Sequence, residues 1–217
     1  MRILCRIKLW LRDIAYRNRT YVARGNEVEI SNSARAAMKK TTIKVRGSAN
    51  RLVIADHAFI SNCEIRLYGD QNTIEIGPRV RFKSGKIYLL ETSGQHIRLG
   101  ADTTVEGAYL LVDEAASIDL GKDCMLSTNI IIRTGDKHSI LNSETQQRIN
   151  PAKDVVLADR VWVGRDVHIL KGTHLQKETV VGACSVVSGS FNEENCIVAG
   201  VPAKIVKQGI LWDRSLL

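Results

Sequence analysis

Between residues 155 and 206 an apolar residue returns at every sixth position, and this repeat constrains the chain more than any other feature. Leu157, Val163, Ile169, Leu175, Val181 and Val187 are each six apart, and Val161, Val167, Thr173, Thr179, Ser185 and Phe191 follow them by four. A helix repeats about every 3.6 residues and a strand alternates about every 2, so neither produces this pattern. A short hexapeptide repeat is a β-helix signature. Each unit gives one short flat strand and one turn, and three units close a triangular coil of about 18 residues. The residue after the first apolar position is small (Ala158, Gly164, Gly182, Gly200), as a crowded corner requires.

Upstream the same start recurs more loosely, at Ile30, Ile54, Ile76, Leu99 and Leu120, with intervals of 24, 22, 23 and 21 residues. The surplus over a minimal coil falls in polar turns just before the next start: RGSAN, YGDQN, ETSGQ and DEAAS. The next interval, Leu120 to Leu157, is 37 residues and overfills the same corner by about 16. A long loop on a regular scaffold is where function concentrates. It holds RTGDKHSILNSETQQRIN and singles out His138.

Composition agrees with a stack of thin coils. Aromatic residues make up 5% of the 217, which suits layers of small and branched side chains and favours strands. The five cysteines are spread without a CxxC pair, so they read as small core residues in a reducing, cytoplasmic setting rather than as disulfides or metal ligands. No run of 18 apolar residues is present. Residues 1–19 carry six basic residues and one acid, with Ile3, Ile7, Trp10, Leu11 and Ile14 on one helical face. That pattern predicts a basic amphipathic helix over 1–20 that caps the coil stack, with peripheral contact to an anionic membrane as its alternative. The net charge of +8 implies polyanionic company, of which an acidic glycan, a phosphate-rich cofactor, an anionic membrane and nucleic acid are the possible kinds.

From about Leu120 to Lys207 the chain resembles the hexapeptide-repeat acetyltransferases. Within them it is most similar to the bacterial capsule and polysialic acid O-acetyltransferases. The motifs that carry the resemblance are Cys124-Met125-Leu126, the loop Gly135-Asp136-Lys137-His138, Val161-Trp162-Val163-Gly164-Arg165 and the segment Cys196 to Lys207. Ser139 departs from the pattern, where a proline often follows the histidine. The resemblance implies an all-β, left-handed parallel β-helix over 21–206 with a protruding loop at 133–150, short terminal helices and a tail at 207–217. It also implies a homotrimer with active sites between subunits, and a cytoplasmic enzyme that uses acetyl-CoA and no metal to acetylate a hydroxyl of an acidic surface polysaccharide. A glycan is then the expected polyanionic partner and nucleic acid is not.

Carried over residue by residue, the resemblance makes His138 the general base and places Trp162 at the acceptor and thioester cleft. Asp136 would orient or charge-tune the loop. Gly182 and Ala183 match positions lying along the pantetheine arm, and Lys204 and Lys207 match positions meeting CoA phosphates. Arg165 is a candidate for an acidic acceptor. For each there is a plainer alternative: a loop histidine with a local hydrogen bond, an anchor tryptophan, an acidic turn residue, or solvated surface cations. His168 and His174 stand six apart, on adjacent faces, and are poor metal partners. Acetylation of a small amino sugar or antibiotic is the alternative activity, and a non-catalytic or metal-dependent scaffold the alternative class.

Overall fold

The structure is a computed structural model that describes residue 13 and residues 15–216. Among the described residues the strands fall into three eight-stranded sheets, which form the three faces of a prism. Face A contains β1 (Arg19–Val22), β3 (Thr42–Arg46), β6 (Cys63–Asp70), β9 (Gly85–Ser93), β12 (Ala108–Asp113), β15 (Ile130–Arg133), β18 (His168–Ile169) and β21 (Val186–Val187). Face B contains β2 (Glu27–Ile30), β4 (Arg51–Ile54), β7 (Thr73–Ile76), β10 (His96–Leu99), β13 (Ile118–Leu120), β16 (Val155–Leu157), β19 (His174–Leu175) and β22 (Ser190–Phe191). Face C contains β5 (Phe59–Ile60), β8 (Arg81–Phe82), β11 (Thr104–Val105), β14 (Met125–Leu126), β17 (Trp162–Val163), β20 (Val180–Val181), β23 (Cys196–Gly200) and β24 (Ala203–Gln208). The chain runs A to B to C in each coil, and neighbouring coils pair in parallel, so backbone groups are satisfied coil to coil rather than by water. The parallel β-helix expected from the hexads is therefore the fold of this chain.

The coil starts read from sequence stack in one column on face B: Ile30, Ile54, Ile76, Leu99, Leu120, Leu157 and Leu175 are successive register partners. Each of these side chains from Ile54 onward is at most 3% exposed. Burying each contributes about 1.5–3 kcal/mol. Phe191 corrects the expected register: it pairs with Leu175 and so belongs to the first apolar column, only four residues after Val187, because the last A-to-B turn is short. The small corner residues also gain a sharper explanation. A Cβ on Gly100 or Gly121 would lie 2.5 Å from the backbone of the next coil. The left-handed backbone of the corner instead falls two residues later, at His57, Arg79, Asp102, Asp123, Arg160, Asp166, Glu178 and Cys184. Gly200 is different, since its φ of +109° serves the reversal between β23 and the antiparallel β24.

The ends depart from expectation in detail. The first coil begins at Arg19, two residues before the expected boundary, and the basic helix expected over 1–20 lies mostly outside the described residues. Helix α1 (Asn32–Ala37), which the repeat did not announce, occupies the first B-to-C corner; Ser31 caps it by accepting from Ala34 N, and buried Ala34 and Met38 close the core there. Among the described residues no helix follows β24. Residues 209–216 instead return over face C, where Trp212 is buried and Arg214 bonds Asp123 and Thr104 at 2.9 Å. No described helix is long and apolar enough to cross a membrane. Cys63, Cys124 and Cys196 are buried in the stack and Cys184 is exposed, all four as free thiols. Burial pushes the Cys124 thiol up to about 11, so it is inert core rather than nucleophile.

Candidate active site

The long insertion leaves the A-to-B corner between β15 and β16, where earlier coils have only short turns. Its tip is a small hairpin: Leu141 bridges Arg148, Ile149 N donates to Ile140 O at 2.9 Å, and Asn142 Oδ1 accepts from Glu144 N and Thr145 N. At its base Thr134 is fully buried and exchanges hydrogen bonds with the backbone of Asp113.

One side chain fixes the path of the loop. Asn150 is 7% exposed, and its Nδ2 donates to Asp136 Oδ2 and to the His138 carbonyl, each at 2.8 Å. Its Oδ1 accepts from Ile140 N at 2.7 Å and from Arg148 Nε at 3.2 Å. Lys171, from the same corner one coil later, donates to Asp136 and to the Asn150 carbonyl. Arg148 in turn forms a fork with Glu114, both bonds 2.7 Å. The Lys171 and Asn150 hydrogen bonds hold the Asp136 carboxyl below the usual range, so Asp136 stays ionised. The ordered strand ends of three coils thus clamp the residues on both sides of His138.

His138 itself is exposed and lines a cleft of about 540 Å³ on the outer surface of face A, together with Lys137, Arg66, Tyr68, Asp113 and Glu114. Asp113 is 8% exposed, its Oδ2 has no hydrogen-bond partner, and burial raises its carboxyl above the usual range, partly offset by Lys137 and Arg133.

The other expected residues stand elsewhere. Trp162 projects from face C, which is opposite the A-to-B corner, and the cleft of His138 does not contain it. Its ring lies 6.0 Å from that of Trp212, whose Nε1 donates to Arg160 O at 2.7 Å. Arg165, Gly182 and Ala183 occupy successive C-to-A corners. Arg165 is exposed and bonds the adjacent Asp166 at 2.9 Å. Gly182 has a packing reason of its own, because a Cβ there would meet Ala199 Cβ at 2.9 Å, whereas Ala183 is exposed. Lys204 and Lys207 are exposed on β24, and among the described residues neither has an ion-pair partner. Lys204 pairs with Ala199, which stacks over Gly182, so Lys204, Gly182 and Ala183 form one group. Among the described residues no group of three potential metal ligands is gathered.

Sequence reasoning missed Asn150, Lys171 and Asp113. Lys171 was within reach, since the coil ruler places residues 170–172 at the corner that carries the loop. Asn150 acts through contacts that leave no periodic trace.

No family model matches the chain. It is 37% identical over 196 residues to the polysialic acid O-acetyltransferase of Neisseria meningitidis, a match covering 90% of each protein. It is 33% identical over 127 residues to the polysialic acid O-acetyltransferase of Escherichia coli O1:K1, which spans 58% of this chain but 41% of that protein. The crystal structure of the polysialic acid O-acetyltransferase OatWY superposes with a TM-score of 0.80 at 32% identity over 92% of both chains. A β-helix of hexads with a histidine-bearing corner loop and these relatives define an acyltransferase, and the chain belongs to the hexapeptide-repeat acetyltransferases. Within that class it stands with the bacterial polysialic acid O-acetyltransferases.

Proposed function

We propose that this protein transfers the acetyl group of acetyl-CoA directly to a hydroxyl of an acidic bacterial surface polysaccharide, with His138 as general base. The observation that carries the reading is the clamped loop: Asn150, Asp136 and Lys171 fix the backbone of His138 while leaving its imidazole free in a cleft. A neutral imidazole can take the proton of the acceptor hydroxyl as its oxygen bonds to the acetyl carbon, and return it to the departing sulfur. The co-substrate supplies the acetyl group as an activated thioester. Its fit rests on the exposed C-to-A corner at Ala183 and the unpaired ammonium groups of Lys204 and Lys207, which suit phosphates.

The site is completed by a second copy of the chain. Within one chain His138 and Trp162 lie at opposite sides of the prism, while the loop hairpin presents Ile140, Leu141 and Ile149 at 54%, 49% and 60% exposure. Three exposed apolar side chains on an ordered hairpin suit contact with a neighbour, and a closed trimer would carry the loop of each copy to face C of the next. The enzyme works in the cytoplasm, where acetyl-CoA is available. His138→Ala, folded and still binding CoA, is expected to lose about 10² to 10⁴ in kcat. A loss under about tenfold in an acetyl-CoA turnover assay on polysialic acid would remove His138 from the chemistry.

A further inference from the structure

Face A continues beyond the His138 cleft toward the N-terminal end of the prism, and its outward side chains change character there. Reading up one register column, Arg133, Leu111, Tyr88, Arg66, Lys44 and Tyr21 succeed one another, Leu111 and Tyr88 buried and the other four at least partly exposed, with Arg46 over Tyr68 in the column beside it. Cations and phenol rings are paired across coils: Arg66 lies 4.6 Å from the Tyr88 ring centre, Arg46 lies 5.2 Å from that of Tyr68, and Lys86 lies 5.6 Å from that of Tyr109. At the far end a second cavity of about 680 Å³ opens among Arg19, Tyr21, Lys44 and Arg46. Its one carboxylate, Glu64, is already occupied by Lys44, Arg66 and Tyr88. Arg19, Arg46 and Lys86 have no carboxylate partner among the described residues. The two cavities adjoin, because Arg46 and Lys44 of the far one are the register partners of Tyr68 and Arg66 of the near one.

We propose that the cavity around Arg19, Lys44 and Arg46 is a remote subsite for the acceptor, and that a linear glycan with one carboxylate per sugar lies along face A from there to His138. This rests on the reading of the protein as an acetyltransferase of acidic polysaccharide. The surplus guanidinium and ammonium groups meet carboxylates, and the ring of Tyr21, 56% exposed, offers flat apolar surface to a sugar C–H face. From β1 to β15 the strip crosses five coil spacings, or roughly 24 Å at about 4.8 Å each. A short acceptor reaches only the His138 end, so the remote subsite selects for polymer.

The test measures binding of α2,8-linked sialic acid oligomers of increasing length to the full-length protein by calorimetry, beside their acetylation. Affinity is expected to rise with length until the oligomer spans the strip and then level. Arg19→Ala/Arg46→Ala, which breaks no ion pair, should weaken the long oligomer by about tenfold and flatten the length dependence, an effect erased by high salt. Restoring lysine at both positions should recover most of it. Long-oligomer affinity unchanged in the double variant, or independent of length in the wild type, would overturn the subsite, as would equal binding of a polyglutamate of matched charge. Acetylation of short and long acceptors at equal KM would remove the subsite and leave the transfer reading intact. Length-dependent binding without any acetylation would do the reverse.

Discussion

Faces A and B share one interior and differ on the outside. Both send fully buried branched side chains to the same core, such as Ile87 from face A and Ile97 from face B. Outside, face B neutralises itself. Arg51 bonds Glu27 and Glu29 and approaches Glu75, Arg98 bonds Glu75, and His96 bonds Asp119 at 2.8 Å. Face A gathers Lys44, Arg66 and Tyr88 on Glu64 and, among the described residues, leaves Arg46, stacked on Tyr68, without a carboxylate partner. The lesson is that the coil interior sets the fold, while the exterior of each face is free to become either solvated surface or binding surface.

The largest effects should show the shared interior. Ile87→Ala and Ile97→Ala are each expected to cost about 2–5 kcal/mol, because each opens a cavity in the stack. Equal losses in denaturant melts would support the comparison, and a loss confined to one face would break it. The exteriors should then separate. Burial alone would raise the Glu64 carboxyl, but hydrogen bonds from Tyr88, Lys44 and Arg66 override it and bring the value down to about 2. A depressed carboxyl contributes stability that is complete above its unfolded value of roughly 4.3 and is lost as pH falls toward the folded value. Glu64→Gln should therefore cost about 1–2 kcal/mol at neutral pH and flatten the acid limb of the stability curve below pH about 4. The smallest effect belongs to face B: Arg51→Ala removes exposed, solvent-screened pairs and should shift neither thermal midpoint nor turnover resolvably.

How far these features could be read in the sequence follows the same division. Interior columns are legible because every coil offers the same environment, so Ile54, Ile76, Leu99 and Leu120 announce themselves by spacing and a 37-residue interval announces the loop. Phe191 escaped because a shortened turn shifted the count by two, and the return of Trp212 over face C escaped because nothing periodic connects it to Trp162. At the site the loop and His138 were legible from interval and residue type. The Asn150 clamp was not, since its meaning lies in four partners gathered by folding.

The central claim is that His138 and Trp162 act together across two copies of the chain. Its most direct measurement is the turnover of a co-assembled equal mixture of His138→Ala and Trp162→Ala, each nearly inactive alone. If each site draws its histidine from one copy and its tryptophan from the next, random trimers should regain roughly a quarter of wild-type activity. Activity no greater than the average of the two separate variants would contradict it.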